Sequence, residues 1–299
     1  MPRFATMQKP YIIFNPAAGS VGDREITVAR LKELRPVALQ MTRRKGDAEK
    51  WARSARALKA RWIVVAGGDG TLNEVVNGLG ASAQGVRVGI VPLGTGNDFA
   101  RTLGLPLSID ENIDILRSGK TTRIDLVRVK SKRSRYFVNV SAGGFSGMVN
   151  EKITPQIKRA WGPLAYVRSA AAALPNLHAY KTEILLDDDE RMSIELYNVV
   201  VANGRFVAGG LPIAPTADPG DGKLEVVLIP KLGAAEMALL AAQIVLGRHL
   251  SSNATIFRRA RKIAVRSRPR MCFNVDGELV GNAPAVFQIM PRALNFIVQ

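Results

Sequence analysis

The stretch that decides the fold is Val64–Leu79, "VVAGGDGTLNEVVNGL". It begins inside an apolar run, "WIVVA" (62–66), of the kind expected from a strand covered on both faces. Gly67, Gly68, Asp69 and Gly70 interrupt the run. Leu72, Val75, Val76 and Leu79 then follow at the i, i+3, i+4, i+7 spacing of an amphipathic helix. A buried strand that passes through a glycine-rich turn into a helix is half of a parallel β-α unit.

The same alternation extends in both directions. Upstream, "YIIF" predicts a strand, and Asp23 can cap a helix with Ile26, Ala29, Arg30 and Leu34 along its stripe. "VALQMT" predicts a second strand, and Asp47 can cap "AEKWARSARALK". Downstream, "VRVGIV" (86–91) predicts another strand. Ser108 and Glu111 make a capping box that opens a helix closed by Gly119. Strands alternating with helices over short links predict a parallel sheet with helices on both faces. From about residue 122 the rhythm changes. "RIDLVRV", "RYFVNVSA", "KTEILLD", "SIELYNVVVAN", "KLEVVLI", "KIAVRS", "MCFNVDGE", "AVFQIM" and "NFIVQ" all predict strands, separated by turns or short helical pieces at 150–175 and 233–248. The fold expected is therefore two-domain: an α/β domain with a parallel sheet at 1–121, and a mainly antiparallel β-sandwich domain at 122–299.

The formal net charge is +17, clumped in "RRK" (43–45), "RVKSKRSR" (128–135) and "RRARKIAVRSRPR" (258–270). Such an excess attracts polyanions or anionic lipid surfaces. Aromatic residues are 6% of the chain and form no stacking platform, so nucleic acid is not the partner expected. The single cysteine, Cys272, excludes an internal disulfide framework and a multi-cysteine zinc site, and it fits a reducing cytoplasm. Only His178 and His249 are available for histidine chemistry. The N-terminus lacks signal-peptide architecture. The nearest approach to a membrane span, "AAEMALLAAQIVLG" (234–247), is short, carries Glu236, and is expected as a buried helix.

Ligands of open α/β sheets bind beyond the carboxyl ends of the strands. A glycine-rich turn there lets backbone N–H groups approach a phosphate, and the following helix N-terminus adds partial positive charge. Asp69 would repel that phosphate unless a cation lay between, so it implies Mg²⁺. Thr71 and Asn73 add a hydroxyl and an amide close by. Two further turns occupy equivalent places: "PLGTGNDFAR" (92–101), with Gly94, Thr95, Gly96, Asn97 and Asp98, and the turn after the first strand, with Asn15, Pro16, Gly19 and Ser20. The sequence contains neither G-x-x-x-x-G-K-[ST] nor G-x-G-x-x-G.

Five blocks, "FNPAAG", "GGDGTLNEVVNGL", "PLGTGNDFAR", "GDGKLEVVLI" and "NVDGE", occur in the order found in diacylglycerol-kinase-like lipid kinases, and the chain resembles that family from about Tyr11 to Val298. The resemblance implies an ATP site between the two domains. Gly67, Gly68, Asp69, Gly70, Thr71, Leu72 and Asn73 would wrap the nucleotide phosphates, with Asn15 and Thr95 nearby and Thr42 touching nucleotide. Asp69 and Asp98 would organise catalytic Mg²⁺. Glu278 would be the base that takes the proton from the lipid hydroxyl, with Asp276 as competitor. Asp221, with carbonyls of Asp218 and Lys223, would hold a structural Mg²⁺. The implied activity is transfer of the γ-phosphoryl group of ATP to diacylglycerol or a related membrane lipid. The enzyme would be cytoplasmic and peripheral at an anionic membrane surface, and a homodimer stays open. Two other readings stand beside it: a soluble-substrate kinase like NAD kinase, and a non-catalytic basic binding protein. Members of the family often end in a helix that returns to the first domain, whereas this sequence stops at Gln299, the last residue of "RALNFIVQ".

Overall fold

The structure, a computed structural model, describes residues 9–83, 85–144, 178–282 and 284–299. The helical piece expected at 150–175 lies outside these residues. The chain divides into two compact units, Met1–Ile124 with Arg292–Gln299, and Asp125–Pro291. The division falls three residues beyond the expected boundary at 121, and the last eight residues belong to the first unit rather than the second. The physical reason is a strand pairing described below.

The first unit contains β1 (Tyr11–Phe14), α1 (Arg24–Lys32), β2 (Ala38–Met41), α2 (Asp47–Ala57), β3 (Trp62–Gly67), α3 (Asp69–Leu79), β4 (Arg87–Pro92), α4 (Asp98–Thr102) and α5 (Ile109–Ser118). β1 lies between β2 and β3, and β3 pairs with β4, all in parallel. The C-terminal segment adds a further parallel strand on β4, with Asn295 opposite Arg87 and Phe296 opposite Val88. That pairing, and the edge contact of Phe296 with Phe99 at 5.4 Å, holds the chain terminus in this unit. β1 and β3 are buried along their whole length, as their unbroken apolar runs require.

Asp23 caps α1 by accepting from the N–H groups of Glu25 (2.7 Å) and Ile26 (3.1 Å). The buried stripe is Thr27, Leu31 and Leu34, not the one expected: Ile26 is 63% exposed. A face at i, i+4, i+7 that leaves Arg30 outside buries more apolar surface. Asp47 does not cap α2 but occupies its first turn, where its carboxylate accepts from Arg43 N (2.8 Å) and Arg44 N (3.0 Å). Gly46 takes the cap position in the left-handed conformation, and Glu74 of α3 accepts from Gly46 N (2.9 Å) and Ala48 N (3.1 Å). The two helices approach closely along Ala48, Ala52 and Gly78. A side chain at Gly78 would reach 2.5 Å from the Glu49 carbonyl. Ser108 and Gly119 bound α5 as its capping residues.

The second unit follows from β5 (Thr121–Lys130), inside which the chain leaves the first unit. It holds β6 (Ser134–Phe137), β7 (Val140–Gly144), β8 (Tyr180–Leu186), β9 (Glu190–Ala202), β10 (Phe206–Val207), β11 (Leu211–Pro212), β12 (Leu224–Pro230), α6 (Ala234–Val245), β13 (Ile256–Ala260), β14 (Lys262–Arg268), β15 (Phe273–Val275), β16 (Glu278–Gly281) and the start of β17 (Ala285–Ile297). Pairing here is antiparallel, as the sequence predicts. β9 is long enough to serve two partners in succession, β8 through its first half and β7 through its second. Phe287 packs edge-on against Phe137 and Phe273 in the main core of this unit. "RYFVNVSA" is two strands rather than one, because Asp276 draws the N–H groups of Val138 (3.2 Å) and Val140 (2.9 Å) out of the ladder.

One expectation is reversed. The helix at 234–247 is not buried: in α6 Leu240 is fully covered, but Leu239, Val245 and the following Leu246 are 61%, 40% and 67% exposed.

Candidate active site

The first unit has strand order β2-β1-β3-β4, which reverses direction between β1 and β3. Loops leaving such a switch point diverge and open a crevice beyond the carboxyl ends of the strands. The turn after β1 and the turn after β3 flank this point, and the turn after β4 lies next to them. All three sequence-predicted loops therefore come to one edge of one sheet. Thr42 stands at the same edge, its N–H donating to the Phe14 carbonyl at 2.9 Å.

Hydrogen bonds join the loops. The Asn15 amide donates to Thr71 Oγ1 at 3.1 Å. Ser20 donates through its hydroxyl to the Gly94 carbonyl (2.7 Å) and through its N–H to the Leu93 carbonyl (2.8 Å). Asn97, in the left-handed conformation at φ 53°, accepts from Gly94 N (2.8 Å) and donates to Gly94 O (2.7 Å). The glycines set the spacing. A side chain at Gly94 would come within 2.5 Å of the Gly68 Cα, one at Gly67 within 2.6 Å of Thr71 Oγ1, and one at Gly19 within 2.2 Å of Thr95 Oγ1. Thr71, Asn73 and Asp98 are buried, and Leu72 packs inward from the first turn of α3.

Gly70 is different. A side chain there would meet nothing within 4 Å, and its backbone does not need glycine's left-handed freedom. Glycine in the first turn of a helix costs roughly 0.5–1 kcal/mol relative to alanine. No contact within the described residues repays that cost. Moreover, the cap of α3 is Gly68, which offers no side-chain acceptor to the helix N-terminus. An uncapped helix start beside an open, Cβ-free surface suits an anion brought close to backbone N–H groups.

Asp69 lies in this first turn but also serves another helix. Its carboxylate accepts from Asp98 N (3.1 Å) and Phe99 N (3.2 Å), so it caps α4 across the loops. Burial pushes the Asp69 carboxyl up, and the N–H groups of Phe99 and Asp98 pull it back. The expectation that Asp69 serves a cation alone is too narrow. A carboxylate at this position also suits a hard cation that takes oxygen ligands. A separate depression of about 380 Å³, lined by Leu105, Pro106, Glu111 and Ile115, contains none of the loop residues. Its acidic rim is unsuited to phosphate.

In the second unit, Asp276 and Gly277 both have positive φ, 44° and 92°, and form the tight turn between β15 and β16. The two acids of "NVDGE" have distinct surroundings. Asp276 gives its carboxylate to the N–H groups of the β6–β7 connection. Glu278, 17% exposed at its side chain, lies 3.3 Å from the guanidinium of Arg135.

The turn proposed for a structural cation is satisfied by protein donors. Asp221 pairs with Arg259 and accepts from Lys223 N at 2.8 Å. The Asp218 carboxylate accepts from Gly220 N at 2.9 Å, and its carbonyl from Asp221 N at 3.3 Å. Among the described residues no group of three or more His, Cys, Asp or Glu gathers as a metal centre. Asp221 is paired with Arg259 in this structure, and no role is derived from a Mg²⁺ ion there.

Sequence reasoning passed over Asp125, Glu225 and Arg135. Buried Asp125 accepts from Gly222 N at 2.7 Å and fixes the 218–223 turn from below. Glu225, also buried, accepts from the Thr216 hydroxyl at 2.6 Å and leaves its second oxygen without a hydrogen-bond donor. Both were detectable as a lone acid within an apolar strand. Arg135 carried no such signal inside a run of cations.

An α/β unit with glycine-rich loops at its switch point, followed by an antiparallel β unit, defines the class as a two-domain α/β-plus-β protein. Residues 9–129 match the diacylglycerol kinase catalytic domain, and residues 139–298 match the YegS C-terminal NAD kinase beta sandwich-like domain. A protein named diacylglycerol kinase from Staphylococcus epidermidis is 32% identical over 280 residues, covering 92% of this chain and 87% of its own. The chain belongs to the diacylglycerol kinase family. Two solved structures share its fold. A diacylglycerol kinase from Bacillus anthracis has a TM-score of 0.75 at 22% identity, covering 98% of this chain and 97% of that one. An NAD kinase from Archaeoglobus fulgidus in complex with ATP has a TM-score of 0.55 at 15% identity, covering 96% and 93%.

Proposed function

We propose that this kinase transfers the γ-phosphoryl group of ATP to the hydroxyl of a membrane lipid, diacylglycerol or a close relative, with Mg²⁺. It would act in the cytoplasm at the inner face of the membrane. The observation that carries the phosphate site is Gly70, a glycine that nothing in the described fold requires, at an uncapped helix start. The lipid acceptor rests on the family and on the names of the relatives.

Asn15, Thr42, Gly67–Asn73 and Thr95 bind and orient the nucleotide in this reading, and Asp69 and Asp98 would hold Mg²⁺ through their carboxylates. The ion, when bound, neutralises charge on the phosphates. Glu278 accepts the lipid hydroxyl proton as the lipid oxygen bonds to the γ-phosphorus and the bond to the β,γ-bridging oxygen breaks, releasing ADP. One observation favours Glu278 over Asp276 as base: the Asp276 carboxylate is committed to backbone donors. The paired, partly exposed Glu278 carboxylate requires the acceptor hydroxyl to come within hydrogen-bond reach.

The test is a panel of diacylglycerol, related lipids and NAD, with labelled ATP and Mg²⁺. Label is expected in a phospholipid. Glu278→Gln is expected to lower kcat by about 10²–10⁴-fold with the KM for ATP unchanged. Label in NADP and none in lipid would replace this reading with the soluble-substrate one.

A further inference from the structure

A helix that is apolar all round belongs in a protein core or in lipid. α6 and the residues just after it are such a helix. From Met237 to Gly247 only Gln243 is polar, yet half of this surface faces outward. On the inner side Leu240 is buried and Ile244 packs on a cluster that includes Val140, Val200 and Ile213. The outer side consists of Ala235, Ala238, Leu239, Ala242, Val245 and Leu246, all exposed. Their spacing, i, i+3/i+4, i+7, i+10/i+11, makes one continuous stripe along the helix. The acid within the helix, Glu236, is turned back to cap it by accepting from Gly233 N at 2.8 Å. At the far end, buried His249 contacts the Ile213 carbonyl at 2.8 Å and pins the helix exit. The stripe is thus held by a fixed scaffold at both ends.

We propose that this face of α6 is the membrane-docking surface, lying in the plane of an anionic bilayer with Leu239, Val245 and Leu246 among the acyl chains. This rests on the lipid-kinase reading and specifies how that enzyme would meet its substrate. At 12 residues α6 is about 18 Å long, too short to cross a hydrocarbon core of about 30 Å. It therefore lies on the membrane rather than through it. Charge selects the bilayer over a second copy of the chain. Two molecules carrying +17 repel one another, whereas an anionic leaflet attracts that charge. Exposed Lys231 and Arg248 bracket the helix, Lys231 in a solvent-exposed pair with Glu195, and Arg248 would meet headgroups while the stripe enters the acyl region.

The experiment uses the full chain and vesicles of phosphatidylglycerol mixed with phosphatidylcholine, with phosphatidylcholine alone as control. Sedimentation is expected to show binding to the anionic vesicles that falls with salt. Leu239→Glu with Leu246→Glu should weaken it by about tenfold per leucine, with Tm unchanged. In a second variant, Leu239→Trp, fluorescence should shift to the blue when anionic vesicles are added. Phosphorylation of vesicle-borne diacylglycerol should fall with binding, while turnover of a short-chain diacylglycerol in detergent micelles persists. Unchanged vesicle binding in the double variant overturns the proposal. So does a wild-type dimer that the double variant splits while vesicle binding stays intact, which would assign the face to a second copy. A Tm lowered by several degrees with binding intact would likewise assign it to another part of this chain. Should no lipid be phosphorylated in either assay while vesicle binding still depends on α6, the docking surface stands and the lipid-kinase reading falls.

Discussion

Replacing Asp69 by alanine separates what the loop does for the fold from what it does for chemistry. The side chain is a phosphate-loop acid by sequence, but in the structure it is also the cap of α4. Asp69→Ala leaves the N–H groups of Asp98 and Phe99 without their acceptor in a buried setting. Each orphaned donor costs about 1–3 kcal/mol, and loss of a helix cap alone costs about 0.5–2 kcal/mol. Because the two descriptions overlap, we take about 2–4 kcal/mol in all. For a cooperative unit of roughly 130 residues, each kcal/mol moves the midpoint by about 3–5 °C. The expected fall in Tm is therefore about 10 °C, read by scanning calorimetry without nucleotide or metal. Asp69→Asn keeps one acceptor and should lose about half as much. Both variants should lose turnover. If Asp69→Ala melts within 2 °C of wild type while turnover disappears, the cap is cancelled by the cost of burying the carboxylate, which alanine removes, and the predicted loss is refuted. The same assay tells inactive enzyme from unfolded enzyme, which an activity measurement on this variant cannot do.

Gly70→Ala should leave Tm unchanged or slightly raised, since the new Cβ meets open space, yet raise the KM for ATP by about tenfold or more if phosphate approaches that surface. An unaltered KM would remove the main physical support for the phosphate site. Glu225 supplies the pH dependence. Burial raises its pKa above 4.5, opposed by the Thr216 hydroxyl and Arg259, with Asp221 adding to the rise. A raised folded-state pKa means that stability is full below the unfolded value and is lost as pH rises through the folded one. Glu225→Gln removes that loss, so the Tm of wild type relative to the variant should decline from pH 4.5 towards pH 8. Parallel Tm curves would show that Glu225 is ionised at no cost.

The sheet of the first unit was legible because its signals are local. "YIIF" and "WIVVA" are buried strands by apolar run length alone, and Gly-Gly-Asp-Gly marks where one ends. That the turns after β1, β3 and β4 share an edge follows from parallel pairing, so three short motifs were enough to point to one candidate site. What the sequence concealed is non-local. Glu74 caps α2 from 28 residues away, and Asp69 caps α4 from the next loop. A cap supplied by a distant side chain leaves no pattern at the helix it serves; at Asp47 the local pattern pointed to the wrong residue. The C-terminal strand was visible as "NFIVQ", but its partner β4 lies over 200 positions earlier, and no periodicity reports that pairing. The same limit explains α6. Apolar composition tells that a surface avoids water without telling what replaces the water. Reading 234–247 as core assumed the protein itself would cover every apolar face, an assumption that the exposure of Leu239, Val245 and Leu246 contradicts. On the docking proposal, the apolar stripe of α6 is a feature of the partner's chemistry rather than a packing fault.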